Sequence, residues 1–538
     1  MSLHAALERT AAAAPAAALT FVSEHERLRV DQLCEQSRAM AGALARNGIR
    51  PGDRVGVLCA NESAFFRCLF ALSRLGATAC PLPLPTTGRD GYVAKVSGVL
   101  AVADARVVLV SRKVDRLRRL VGDAVGDARV IVVDDLPAAA GVDGVDIADQ
   151  DDLIVQFTSG STASPKGVRL THANVLAGVD AIRTGIDLGR PGDKPAIWLP
   201  LFHDMGLFGT LTALLTGVSM SVWAPSAFVK DPARWLRAIC DGGYTAWALP
   251  NFGYDYLRRA VPADEVPDYD LSRLRVALNG AEPIAPDSVA AFTEHFGPAG
   301  FRPEAMLSVY GLAEATLAVT FPELGTRPVV DWVDRAALAD ERRAVPVAAG
   351  APGARGVVAL GGPVRGLDVR IADPENCRPL GERNLGEVQV RGLSVTTGYL
   401  GATAQPFSAD GWLRTGDLGY FAGGQLHVTG RSKEMLIVRG GNFYPEDIEA
   451  AARADPGVHR RRCVAFVSDG DGDGTIVLVA ESTVDSEVER DKLAGRLREL
   501  VKAVTGLDQL RVVLVGPHAI PRTSSGKLQR IASRTAFT

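Results

Sequence analysis

At 538 residues the chain exceeds what one compact core supports, so about two to four domains are expected. Hydrophobic residues make up 47% and charged residues 22%, the balance of a soluble globular protein, and a net charge of −3 supplies no general attraction to nucleic acid or to an anionic membrane. Seven scattered cysteines, odd in number and without ligand spacing, argue for reduced thiols in the cytosol and against a disulfide or zinc framework. The first eighteen residues contain Glu8 and Arg9 and no compact apolar run, so no signal peptide is expected.

In chain order, near-continuous Val/Ile/Leu runs alternate with helix-like stretches. Strands are expected near 54–58, 106–110, 129–133, 153–155, 220–223, 275–278 and 306–309, with helices such as 64–75 and 232–240 between them. Strands apolar on both faces belong to parallel sheets covered by helices. Residues 205–229 carry no charge, a length sufficient to span a bilayer. Gly206, Gly209, Gly217, Pro225 and interspersed Ser and Thr break that run, so a buried helix near 206–216 and a strand near 218–224 are expected instead.

Beyond about residue 360 the texture changes to shorter strands joined by glycine turns, near 367–371, 386–391, 418–421 and 425–429. That pattern reads as a small antiparallel barrel or sheet. Strands near 464–467, 476–480 and 511–515 and a helix near 488–504 follow, placing a boundary between Gly430 and Lys433 and domains over 1–430 and 431–538. Asp469-Gly-Asp-Gly-Asp-Gly474 imitates the start of a calcium loop, but the twelfth position is Ala480, so a hairpin turn is expected. Arg460-Arg-Arg462 reads as solvated charge, with contact to an acidic carrier protein as the alternative.

The segment Phe157-Thr-Ser-Gly-Ser-Thr-Ala-Ser-Pro-Lys-Gly-Val168 carries the most chemistry. It follows a strand-like run and precedes a helix-like run from Thr171. Small and hydroxyl-bearing residues ahead of one lysine leave N–H groups and hydroxyls able to face a polyphosphate. It is not a Walker A loop, because Gly167 stands where Ser or Thr would hold magnesium. A flexible linker is the plainer reading of such a run, but further segments follow in order. Asn279-Gly-Ala-Glu-Pro283 and Tyr310-Gly-Leu-Ala-Glu-Ala-Thr316 lie at strand ends, where open parallel sheets bind ligands. Gly411-Trp-Leu-Arg-Thr-Gly-Asp417, Gly430-Arg-Ser-Lys433 and Ile520-Pro-Arg-Thr-Ser-Ser-Gly-Lys527 come after them. Singly, Glu314 would be a helix-terminal carboxylate, Asp417 a turn residue and Lys527 a solvated tail residue.

Together, from about residue 25 to Lys527, these motifs resemble the adenylate-forming superfamily. The resemblance implies an α/β fold: a large N-terminal domain of stacked, mostly parallel sheets with helices, a small barrel-like part over about 360–430, and a small mobile α+β C-terminal domain. It implies that Thr158, Ser159, Gly160, Ser161, Thr162 and Lys166 handle the ATP phosphates. Gly280, Ala281 and Tyr310 would sandwich adenine, with Glu282, Gly311, Leu312 and Ala313 beside them. Glu314 would coordinate Mg²⁺, a hard cation suited to one carboxylate plus substrate phosphates. Asp417 would accept from both ribose hydroxyls, Arg431 would contact ribose and phosphate, and Lys433 would mark the hinge. Lys527 would be the catalytic lysine, its ammonium offsetting the charge gathered when a carboxylate attacks the α-phosphate.

Pro200-Leu-Phe-His-Asp-Met-Gly-Leu207, Pro250-Asn-Phe-Gly-Tyr-Asp255 and Ile437-Val-Arg-Gly-Gly-Asn-Phe-Tyr-Pro-Glu-Asp-Ile448 resemble one subfamily, the fatty acyl-AMP ligases. This implies an acyl pocket drawn from Phe202, His203, Met205, Asn251, Phe252 and Asn279. His203 at its mouth would join Glu314 and Lys527 as catalytic residues; a satisfied structural histidine is the alternative. Residues 323–358 match an insertion thought to restrict the domain motion that CoA use requires, or else form a surface excursion. Cys80-Pro-Leu-Pro-Leu-Pro85 departs from the usual subfamily wording. The function expected is ATP- and Mg²⁺-dependent conversion of a fatty or related acid to acyl-AMP. Transfer to the phosphopantetheine thiol of a separate acyl carrier protein would follow, in lipid or polyketide/peptide natural-product biosynthesis. The enzyme is expected in the cytoplasm, without nucleic-acid partners or membrane insertion. An acyl-CoA synthetase and a catalytically silent ligand-binding relative are the alternatives.

Overall fold

The computed structural model describes residues 1–85, 89–158, 165–438, 441–468, 474–522 and 528–538. Its contacts gather the chain into two compact units. One comprises Met1–Pro328, Leu360–Val369 and Val390–Leu413; the other comprises Val329–Ala359, Arg370–Gln389 and Arg414–Thr538.

In the first unit the strands are, in order, β1 (Ala18–Phe21), β2 (Glu26–Arg29), β3 (Arg54–Leu58), β4 (Thr78–Pro81), β5 (Val107–Val110), β6 (Arg129–Val132), β7 (Asp152–Thr158) and β8 (Lys166–Thr171). Then come β9 (Pro195–Ile197), β10 (Met220–Val222), β11 (Ala246–Leu249), β12 (Val276–Asn279) and β13 (Met306–Ser308). They form a six-stranded sheet ordered β6-β5-β3-β4-β7-β8 and a seven-stranded sheet ordered β13-β12-β11-β9-β10-β1-β2. Both are parallel except at one edge, where β8 runs antiparallel to β7 and β2 to β1. The expected mixed α/β class with parallel sheets is therefore present.

Burial on both faces explains why the inner strands read as unbroken apolar runs: Val55, Val57 and Leu58 of β3 and Val108, Leu109 and Val110 of β5 are all buried. The helix Ser63–Leu75 goes further, with every residue except Arg67 buried. The uncharged stretch resolves as expected into a buried helix, Asp204–Thr216, stopped by Gly217 at φ 75°, and then β10. Only glycine takes that left-handed conformation without a Cβ penalty. Among the described residues no helix is long and apolar enough to cross a membrane.

In the second unit, Cys463–Ser468 and Thr475–Glu481 pair antiparallel, and Leu510–Val515 returns parallel after the helix Glu487–Thr505. Ser468 stands opposite Thr475, so the calcium-loop lookalike joins two strands of a hairpin; Asp469–Asp473 themselves lie outside the described residues. Ile448, Ala452, Leu478, Leu497 and Val501 fill the core beneath this sheet. The antiparallel strands Val330–Asp334 and Ala354–Val358 flank a short helix, Arg335–Asp340. Val333, Leu338 and Val357 from this segment share one apolar cluster with Leu385, Tyr420 and Tyr444. Val333, Leu338, Ala344 and Val357 thus anchor this segment to the unit's core, while most of residues 341–353 are exposed. The strands Leu413–Ala422 and Gln425–Arg431 form an antiparallel pair with a bulge at Leu418/Gly419.

Candidate active site

The carboxyl edge of the seven-stranded sheet gathers most of the expected contact residues. In β12 and β13, which run parallel, Asn279 is in register with Ser308, so Gly280-Ala-Glu282 and Tyr310 leave neighbouring strands at the same edge. In β11, Leu249 is in register with Asn279, which brings Asn251 and Phe252 there as well. Strand β9 runs parallel beside β11 and leads to Phe202 and His203.

Specific bonds hold these segments together. The Glu282 carboxylate accepts from the Phe252 N–H at 2.6 Å, joining the glycine-alanine loop to the first turn of the helix Asn251–Ala260. Buried Asn279 donates to Asn251 Oδ1 at 3.4 Å, and its own Oδ1 has no partner among the described residues. His203 caps the helix Asp204–Thr216 with its backbone, and its ring lies 4.6 Å from that of Phe202 at a 41° tilt. The Phe202 carbonyl accepts from Gln156 Nε2 at 2.8 Å, and Met205 is buried. Trp198 stacks on Phe228 at 4.2 Å and meets Phe252 edge-on, so an aromatic wall stands next to the segments assigned to the acyl group. In the helix carrying the His-Asp-Met-Gly motif, a methyl group at Gly206 would collide with the Pro200 carbonyl, so this glycine is required by close packing.

Two residues of the segments that follow these strands have strained backbone. Ala281 has φ 67° and Thr316 has φ 65° with ψ −57°. A β-branched residue at positive φ is an outlier, and such conformations cost about 1–3 kcal/mol each. Thr316 is held there by its buried hydroxyl, whose one hydrogen is shared between the carbonyls of Ser394 at 2.9 Å and Asn174 at 3.2 Å. The strain lies immediately beyond Tyr310-Gly-Leu-Ala-Glu314, where Leu312 N–H donates to the Leu317 carbonyl at 2.9 Å and closes a tight turn. Glu314 sits in that turn on the short helix Ala313–Ala315.

The helix-like run expected from Thr171 is present as the helix His172–Gly185, but the residues ahead of it, Lys166–Thr171, form strand β8, with Lys166 in register with Thr158. Val168 and Leu170 are buried with Gly167 and Thr171, while Lys166 and Arg169 are only partly covered. The following helix, His172–Gly185, is capped by its own residues, Thr171 and Asn174, in a reciprocal box. Strands β7 and β8 thus pair as a hairpin, and the helix begins only after β8. Thr158 and Pro165-Lys166 are the described ends of the loop; Ser159, Gly160, Ser161 and Thr162 lie outside the described residues. The Lys166 ammonium lies 5.1 Å from the centre of the Tyr399 ring. The Tyr399 hydroxyl in turn donates to Glu314 Oε1 at 2.6 Å. Sequence reasoning missed Tyr399, and only its place after a Gly398 turn hinted at a fixed backbone.

The remaining assigned residues belong to the second unit. Asp417 and Arg431 stand opposite each other across an antiparallel pair, and Arg431 Nε donates to Asp417 Oδ1 at 3.1 Å. Asp417 is buried, and Lys433 lies two residues past Arg431 in the short helix Ser432–Glu434. Lys527 lies outside the described residues, as does the rest of 523–527. Both arms of that segment are firmly held. Arg522 bridges Leu528, Gln529 N–H donates to the Pro521 carbonyl at 2.9 Å, and Ile520 is buried. Arg530 then pairs with Glu434, with Glu446 at 3.0 Å and with Glu449 at 2.7 Å.

The donor set bears on a metal. Among the described residues no group of three or more His, Cys, Asp or Glu side chains converges to cage an ion. Glu314 is a lone carboxylate, which fits a cation sharing its coordination with substrate phosphates and water and does not fit a closed protein site.

Residues 7–400 match the model of the family described as AMP-binding enzyme. The chain is 34% identical to the long-chain-fatty-acid–AMP ligase FadD32 of Mycolicibacterium smegmatis, over 94% of this chain and 88% of that protein. It is 33% identical to the medium-chain-fatty-acid–[acyl-carrier-protein] ligase JamA of Moorena producens, over 95% and 90%. A solved structure from work on fatty acyl-adenylate ligases of E. coli and L. pneumophila superposes with a TM-score of 0.93 at 32% identity, covering 100% of this chain and 97% of that one. Motifs at the sheet edge, fold and full-length similarity agree: the chain belongs to the AMP-binding, adenylate-forming enzyme family.

Proposed function

We propose that this protein is a fatty acyl-AMP ligase. An oxygen of the fatty acid carboxylate attacks the α-phosphorus of ATP, the bond to the β-phosphate breaks, and pyrophosphate leaves. The thiol of a carrier protein's phosphopantetheine then attacks the acyl carbonyl, and AMP departs with the electron pair. The observation that carries this reading is the meeting, at one parallel-sheet edge, of the 279–282 and 310–314 turns with the aromatic-walled segments 202–205 and 251–252. The relatives named as fatty-acid–AMP and acyl-carrier-protein ligases support it.

Lys166 and the loop from Thr158 neutralise the outer phosphates, while Gly280, Ala281 and Tyr310 take the adenine. Asp417 accepts from the ribose hydroxyls, with Arg431 beside it to meet ribose and phosphate. His203 and Phe202 shape the mouth of the acyl pocket, backed by Met205, Asn251, Phe252 and Asn279. Mg²⁺ supplies charge neutralisation when bound, with Glu314 as its protein ligand. Lys527 meets the α-phosphate, carried by a mobile module over 431–538 that pivots at Lys433. The enzyme works in the cytoplasm, on acids bound for lipid or polyketide/peptide products.

The test supplies purified protein with ATP, Mg²⁺ and a panel of saturated acids from medium to long chain, reading acyl-adenylate by mass. Holo carrier protein and free CoA are then offered in parallel. Acyl-adenylate with transfer to the carrier at least tenfold faster than to CoA is the expected result. Comparable acyl-CoA formation would make the protein an acyl-CoA synthetase. Absence of ATP–pyrophosphate exchange with every acid would make it a binding protein.

A further inference from the structure

Two opposite charges assigned to one nucleotide, Lys166 and Glu314, are not ion-paired with each other; the side chain of Tyr399 stands in contact with both. Its hydroxyl donates to Glu314 Oε1 at 2.6 Å, a short, charge-assisted bond. Its ring faces the Lys166 ammonium at 5.1 Å, within the range of cation–π attraction.

The backbone of Tyr399 is fixed from several sides. It bridges Val168 of β8, Leu400 N–H donates to the Gly167 carbonyl at 2.7 Å, and Arg169 N–H donates to the Gly398 carbonyl at 3.1 Å. The Gln405 side chain closes the other side, accepting from Tyr399 N–H at 2.8 Å and donating to its carbonyl at 3.1 Å. Gly398 has φ 134°, and a methyl group there would collide with that Gln405 amide. The same segment reaches the Glu314 turn, where Thr396 N–H donates to the Glu314 carbonyl at 2.7 Å. Residues 396–405 therefore tie the exit of the phosphate loop to the turn bearing the carboxylate, although Tyr399 is 233 residues from Lys166 and 85 from Glu314 in sequence.

We infer that Tyr399 is a positioning residue of the nucleotide site. Its hydroxyl aims the Glu314 carboxylate and its ring seats the Lys166 ammonium, so the two charges stay apart until a metal–triphosphate enters. This rests on the nucleotide reading of Lys166 and Glu314 given above. Without the separator, a flexible lysine would close on the carboxylate, and each ligand would first have to break that pair. With it, anion and cation subsites are pre-organised and meet their charges without rearrangement.

Two substitutions separate the two contacts. Tyr399→Phe keeps the ring and removes the hydroxyl; Tyr399→Leu removes both. ATP binding to the full chain is measured by calorimetry with and without Mg²⁺, no fatty acid being present, alongside thermal melts. For Tyr399→Phe the affinity for metal-free ATP stays within about twofold of the parent, while the gain from Mg²⁺ shrinks by about tenfold. The magnesium concentration giving half-maximal adenylation rises in parallel, and the KM for the acid does not change. Tyr399→Leu additionally weakens metal-free ATP by about fivefold. The inference is overturned if Tyr399→Phe keeps the parent's magnesium dependence. It is equally overturned if both variants weaken ATP to the same degree with and without the metal. Because no acid enters the titration, those results would leave acid activation standing; a parent protein unable to bind ATP would instead sink the proposed function and this inference with it.

Discussion

Lys527→Ala is expected to fold like the parent, to bind ATP, and to form acyl-adenylate about 10²–10³-fold more slowly, the usual cost of deleting one preorganised charge-stabilising group. Attack of a carboxylate on a phosphate brings two anions together, and the transition state gathers charge on the α-phosphate oxygens and on the departing pyrophosphate. An ammonium at that point lowers the barrier without exchanging a proton, so neutral or shortened side chains cannot replace it. ATP affinity should change little, since Lys166, Glu314, Asp417 and Arg431 are untouched. Folding should also survive, because the arms of the loop are secured by other residues: Ile520 in the core, the Arg522–Leu528 bridge and the Arg530 cluster. Pyrophosphate release is measured with saturating acid and ATP, and melting is followed in parallel. A release rate near that of the parent would remove Lys527 from the mechanism.

The parts of this molecule that sequence made legible are those where one physical rule acts alone. Strand β3 occupies 54–58 as expected, because a strand buried on both faces is simply a run of apolar residues. The uncharged 205–229 stretch was divisible into helix and strand because Gly217 is a helix stop with a conformational reason. Strand β8 was lost because Lys166-Gly-Val-Arg-Leu-Thr171 is short and opens onto a capped helix; its Val168/Leu170 alternation was the available signal. Asp417 and Arg431 were read separately as nucleotide contacts. Their mutual ion pair follows from hairpin register, which depends on a bulge at Leu418 that sequence does not announce. Nothing local marks Thr316 as left-handed or Tyr399 as a bridge, since both conditions are imposed by chain segments far away in sequence.

Arg530 carries the other large expected effect, on stability. Its guanidinium, largely buried, faces Glu434, Glu446 and Glu449 at once. Burial alone would raise both buried glutamates, and it does so for Glu446, one of whose oxygens has no partner among the described residues. Glu449 behaves oppositely: burial raises it, but two bonds from Arg530 at 2.7 and 2.9 Å, with help from Arg453 and the Ala465 N–H, bring it below the ordinary glutamate value. Arg530→Met keeps much of the volume and leaves three carboxylates facing one another. Breaking a buried pair in this way costs about 3–5 kcal/mol, because an uncompensated charge stays behind. The sign with pH follows from the shifts. Glu449, depressed in the parent, stabilises the fold above its unfolded value of 4.5 and loses that contribution as pH falls through its lower folded value. In Arg530→Met burial leaves Glu446 and Glu449 raised, so the penalty is full at neutral pH and is relieved as they take up protons. Urea denaturation of the two proteins from pH 7 down to pH 5 should therefore show the difference shrinking on acidification. A difference that stays constant, or grows, would mean that Arg530 acts through packing of its stem and not through its charge. The substitution should also reduce adenylation beyond what stability explains, because Arg530 fixes the helix that begins three residues after Lys527. At a temperature where the variant is fully folded, a parental kcat would show that the loop keeps its aim without this clamp.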